Sequence, residues 1–114
     1  MAQTTRPAFA NVPASTTDQV IVTSPTDVTR AGNAIIKVVS LVMVAGGTAT
    51  TATFNSKGSG AGTAISCLFA NGANGGAVLN RNDDGWFSTN AGEALSITTG
   101  GGAATGVLVN YELV

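Results

Sequence analysis

The chain has 114 residues, of which only 10% are charged, with five basic and six acidic side chains, no histidine and a formal net charge of -1. A soluble domain ordinarily carries about 25% charged residues, and the missing histidine removes the usual catalytic base, the serine triad, the cysteine dyad and histidine-based zinc sites. Arg6, Arg30, Lys37, Lys57 and Arg81 are scattered and form no stripe that could follow a phosphate backbone, so no enzyme, no cofactor, no metal and no direct nucleic-acid partner is expected.

At this length one hydrophobic core is expected and a second has no room. Residues 1–17 hold Pro7, Pro13, several hydroxyl side chains and only scattered apolar groups, which predicts an extended N-terminal arm. Proline fixes its own φ and pushes the residue before it toward extended geometry, so Arg6 and Val12 should be extended. Phe9 is the large apolar group between the two prolines, suited to filling a pocket on a neighbouring subunit. The segment lacks the basic cluster and apolar run of a secretory signal, and the mature chain is expected to begin here.

Residues 18–114 read as one all-β domain, an antiparallel β-sandwich or jelly roll, because the apolar pattern has period two and β-branched residues abound. Strands are expected at 19–23, 34–45, 48–55, 64–69, 77–80, 86–89, 94–99 and 105–113, separated by glycine-rich turns. Across 34–45 both faces are apolar: Ile35, Val39, Leu41 and Met43 on one, Ile36, Val38, Val42 and Val44 on the other. The second face therefore needs cover, from the arm or another subunit. No run reaches the roughly 20 apolar residues of a membrane-spanning helix, so no membrane span is expected. Cys67 is the single cysteine, fits a reducing compartment and is expected to be buried. The last strand should turn Val107, Val109, Tyr111 and Leu113 to the core and Asn110 and Glu112 away.

Few segments resemble chemical motifs. The 58–62 loop lacks the spacing of a phosphate-binding fingerprint and any Walker lysine, and reads as a flexible connection. Residues 80–85 (NRNDDG) are similar to the opening of a calcium loop, but Asn80 replaces the first aspartate and Ala91 the closing glutamate, so a tight turn with Asp84 and Gly85 at its tip is the simpler reading. Trp86 and Phe87 are adjacent in an expected strand, so one ring enters the core and the other is a candidate contact anchor. A carbohydrate-binding jelly roll would use the outer ring with Asn71, Asn74, Asn82 and Asp84.

Taken together, 48–54 (TATTATF), 63–66 (TAIS), 69–76 (FANGANGG) and 85–93 (GWFSTNAGE) resemble the capsid decoration, or cement, proteins of tailed bacteriophages. The resemblance implies a compact β-rich virion protein on the outer head surface, assembled in the host cytoplasm as a homotrimer or dimer and cementing adjacent major capsid subunits. It implies no catalytic residue. The interface would then involve Arg6, Phe9 and Val12 of the arm and whichever of Trp86 and Phe87 faces outward. A carbohydrate-binding module and a tail or head-completion component are the alternative roles.

Overall fold

The computed structural model describes residues 5–25 and 34–114. The first four residues of the expected arm, with Asp27 and Arg30, lie outside them. Ten strands and no helix form among the described residues: β1 (Arg6–Val12), β2 (Gln19–Val22), β3 (Ile36–Ala45), β4 (Thr50–Lys57), β5 (Thr63–Ala64), β6 (Phe69–Asn71), β7 (Gly76–Leu79), β8 (Phe87–Ser88), β9 (Ala94–Gly101) and β10 (Thr105–Leu113). Every strand pairing is antiparallel. One sheet runs β1-β10-β3-β7 with β8 also on β3, and the other runs β2-β9-β4-β5 with β6 also on β4. We call them the first and second sheets.

The two sheets pack face to face because each strand alternates apolar and polar side chains. Leu41, Met43, Val107 and Val109 of the first sheet meet Ala52, Phe54, Leu95 and Ile97 of the second in one buried core. Phe54 is the hub. Its ring stacks on Phe87 of the first sheet at 5.0 Å and meets Phe69 of its own sheet edge-on at 6.1 Å, so aromatic contacts tie β8 and β6 into the sandwich.

The two-faced reading of 34–45 is corrected by a bulge. Asn110 pairs with Ser40 and Tyr111 with Val38, leaving Val39 as an extra residue on β3. An extra residue reverses the alternation, so Ile36 and Val38 point inward with Leu41 and Met43, while Val42 and Val44 are exposed. The strand expected at 64–69 divides in two. Ala64 pairs with Asn55 and Phe69 with Ala52, so the outer chain has more residues than β4 can match, and the Ser66 hydroxyl accepts the Phe54 N–H instead. Cys67 and Leu68 are thereby looped out, and Cys67 is exposed rather than buried.

From Arg6 onward the N-terminal segment follows the expected extended course, but it is paired with β10 over seven residues. Pro7 is tolerated there because β1 is an edge strand. The following bend is held on β9: Thr16 N–H donates to Thr99 Oγ1, Thr99 N–H to Thr16 O, and Asp18 N–H to Thr98 Oγ1.

Phe54 is fully buried between the sheets. Phe54→Ala should therefore lose about 3–5 kcal/mol of stability, read as a lower urea midpoint with an unchanged slope.

Candidate interaction surface

The outer face of the first sheet carries an apolar row. Phe9 pairs with Leu108, Leu108 with Val42, and Val42 with Val78, so one side chain from each of four adjacent strands lies in line. All four are exposed, Phe9 at 80% and Val78 at 67%, and Val44 is exposed in the neighbouring row. Single exposed apolar residues are ordinary, but a contiguous set on one face marks an interaction surface. The outer face of the second sheet differs: Thr51, Thr53, Asn55, Ser96 and Thr98 occupy the equivalent central positions.

Charge near the apolar row is internally paired. Glu112, nearly buried on β10, faces Lys37 of β3 at 3.2 Å and Arg81 at 3.0 Å, and accepts a hydrogen bond from Thr5 at 3.2 Å. Arg81 also donates to Asp83 at 2.8 Å. Burial pushes the Glu112 carboxyl up, but hydrogen bonds from Lys37, Arg81 and Thr5 outweigh it and hold the group below its ordinary range. The Arg81 guanidinium is raised, chiefly by its hydrogen bond to Asp83, against partial desolvation. Along the chain Glu112 stands apart from every other charge, and its partners are not visible there. The usable signal was that Lys37 and Glu112 both interrupt strands whose other side chains are mostly apolar.

A second carboxylate fastens the other sheet. Asp18 accepts from Asn55 Nδ2 at 3.1 Å, Ser96 Oγ at 3.3 Å and the Gly62 N–H at 2.9 Å. The 58–62 loop is thus tethered at its end, and Lys57 Nζ also donates to Gly60 O at 2.6 Å.

The candidate residues divide by location. Arg6, Phe9 and Trp86 are exposed, whereas Val12 is fully buried and Phe87 stacks on Phe54. Trp86 is held by a 2.7 Å hydrogen bond from Nε1 to Asn80 O. The 80–85 segment is a turn: Gly85 N–H donates to Asn82 O, Asp84 N–H to Asn82 Oδ1, and Gly85 has φ +84°. Lys37 Nζ donates to Asp83 O at 2.7 Å and Arg81 Nε to Asp83 Oδ1 at 2.8 Å, so side-chain cations take these two oxygens.

The four polar residues of the sugar-binding reading separate into pairs. Asn74 N–H bonds Gly46 O, just past β3, and Asn82 N–H bonds Val39 O within it, carbonyls seven residues and roughly 23 Å apart at about 3.3 Å per residue. Asn71 is buried and its Nδ2 has no hydrogen-bond partner among the described residues. It lines an open pocket of about 360 Å³ with Thr50, Thr51 and Gly101. No protein-family model, curated protein or solved structure matches the chain.

Because the folded Glu112 pKa is depressed, its contribution to stability is present above the ordinary carboxylate value near 4.5 and is lost as pH falls through the folded value. Glu112→Gln should lower the melting temperature at pH 7, and the two proteins should converge in acid. At Gly62, an added Cβ would crowd Asp18 and lie 2.8 Å from the Asn55 Cβ. Gly62→Ala should therefore cost about 1–3 kcal/mol, measured by urea unfolding.

Proposed function

We propose that the protein is a virion structural protein that coats the outer surface of a tailed-phage head and cements adjacent major capsid subunits. The observation that carries this reading is the charge-free apolar row on the first sheet, beside charged groups already satisfied within the chain. Such a surface is suited to protein rather than to a charged ligand or nucleic acid. Copies associate with one another as a trimer or dimer, and many weak contacts act together on a repeating shell.

We read the sandwich as a jelly roll. In support, β10 lies between β1 and β3 in one sheet while β9 lies between β2 and β4 in the other, the interleaving produced when a long hairpin wraps around a barrel-like core. Of the expected 1–17 arm, 6–12 is fixed in the sheet as β1 with Val12 in the core, and in this reading the exposed Arg6 and Phe9 of that edge strand make the contacts to the capsid. Trp86 is the aromatic anchor on the same shell, since it is 45% exposed yet held in place by its indole hydrogen bond.

The test is co-sedimentation of purified protein with phage heads that lack it. Wild type should saturate the heads, and Trp86→Ala should weaken binding by about 2 kcal/mol, roughly 30-fold. Absence of wild-type binding sinks the proposal. Asn71 Nδ2, without a partner among the described residues and beside an open pocket, favours the carbohydrate-binding alternative, which selective capture on a glycan array without head binding would support.

A further inference from the structure

We infer that Glu112 is an acid-sensitive latch on the 80–86 segment: its carboxylate holds the turn that positions Trp86, and protonation releases that turn while the sandwich stays folded. The latch concerns the free protein, so it does not rest on the proposed shell.

The segment needs a latch because the core does not hold it. Leu79 and Phe87, at its two ends, pack on the hydrophobic core, and no side chain from 80 to 86 joins them there. Between these posts two backbone bonds reach β3, from Asn82 N–H to Val39 O and from Trp86 N–H to Val38 O. Among the described residues, the other polar fastenings are made by cations. Lys37 Nζ donates to Asp83 O at 2.7 Å, Arg81 Nη2 to Glu112 Oε2 at 3.0 Å and Arg81 Nη1 to Thr5 Oγ1 at 3.0 Å. A segment tied down by few polar contacts and no buried apolar ones is among the first to open.

Glu112 organises both cations. Lys37 Nζ lies 3.2 Å from Oε1 and Arg81 Nη2 3.0 Å from Oε2, on a carboxylate side chain only 7% exposed. One nearly buried negative charge thus fixes two positive ones, and each of these grips Asp83, Lys37 by the carbonyl and Arg81 by the carboxylate. Among the described residues the groups facing Glu112 are these two cations and the Thr5 hydroxyl, with Asp83 behind Arg81. Arg6 and Tyr111, paired one residue along, turn to the opposite face.

Protonation reverses the arrangement. A neutral carboxyl loses its attraction for both cations, which are left as like charges on one nearly buried polar group. The turn is the least firmly held element beside it. Arg81 swings out to water with Asp83, and the Asn80 carbonyl that receives the Trp86 indole N–H at 2.7 Å moves with them. Trp86 then loses its fixed place. Because the folded Glu112 pKa is depressed, the latch is closed above the ordinary carboxylate value near 4.5 and opens as pH falls through the folded value.

Trp86 is the single tryptophan, so its fluorescence reports this segment alone. The test is the accessibility of Trp86 to acrylamide, a neutral quencher, on the full chain from pH 7 downward, with far-UV circular dichroism recording the sheets. Wild-type accessibility should rise below pH 4.5, before the circular dichroism changes. Glu112→Gln, the neutral isostere, should show the open accessibility already at pH 7. Lys37→Met keeps the stem that lies over Gly85 and removes one cation, so its opening should move to higher pH. Asp84→Asn removes an exposed carboxylate from the same turn and should leave the transition in place. The latch is overturned if wild-type Trp86 stays closed until the sheets unfold, if Glu112→Gln is closed at pH 7, if Lys37→Met opens where wild type does, or if Asp84→Asn abolishes the transition. Should Glu112→Gln fail to fold, wild type and Lys37→Met still decide. A protein that opens as described yet ignores phage heads keeps the latch and refutes the proposed function; one that coats heads with a Trp86 that never opens does the reverse.

Discussion

The extra residue at Val39 decides which side of the protein is which. Below it, Ile36 and Val38 enter the core and Lys37 turns outward to Glu112; above it, Leu41 and Met43 enter and Val42 and Val44 turn outward. A strand with strict alternation would bury one of these sets and strand the other in water. The bulge lets a nearly continuous apolar segment serve the core along its whole length. It also presents two carbonyls to the loop alongside: Val39 O accepts the Asn82 N–H and Val38 O the Trp86 N–H. The turn that carries Arg81 toward Glu112, and the placing of Trp86 and Phe87, therefore follow from the same irregularity.

Charge is scarce in this chain, and much of it is spent on fastening. Glu112 joins Thr5, β3, β10 and the turn before β8, while Asp18 joins the bend after β1, β4, β9 and the end of the 58–62 loop. Both clusters hold the N-terminal segment to the sheets at its two ends. A half-satisfied buried carboxylate would cost more than it returns, and each of these accepts at least three bonds. The weakly charged exterior is thus partly a result of where the few charges went.

The all-β class, one core, the inward set of the last strand and the opposed directions of Trp86 and Phe87 were legible because each depends on local alternation. What was hidden depends on pairing. The bulge at Val39 exists only relative to β10, and the looping out of Cys67 and Leu68 only relative to β4. The Lys37–Glu112–Arg81 cluster joins residues separated by 31 positions or more, and nothing local marks that meeting. The apolar row was partly visible as the second apolar face of 34–45. Its true members, Phe9, Leu108 and Val78 beside Val42, required the register of four strands.

The two outer faces of the sandwich allow a comparison within one molecule. Both sheets have two long central strands and the same core to enclose, but the exterior of the second is partly covered by Asp18 and the end of the 58–62 loop. On β4 and β9 the outward places hold Thr51, Thr53 and Thr98, half-buried, with Asn55 and Ser96 buried against Asp18. On β3 and β10 the corresponding places hold Val42, Val44 and Leu108, extended by Phe9 and Val78 on the flanking strands. Folding gains less from these five side chains, left 39% to 80% exposed, than from buried ones, and a contiguous apolar face invites association. The second sheet carries polar side chains at the corresponding places, whether half-buried or covered. The apolar row on the first sheet is the feature that distinguishes the two exteriors.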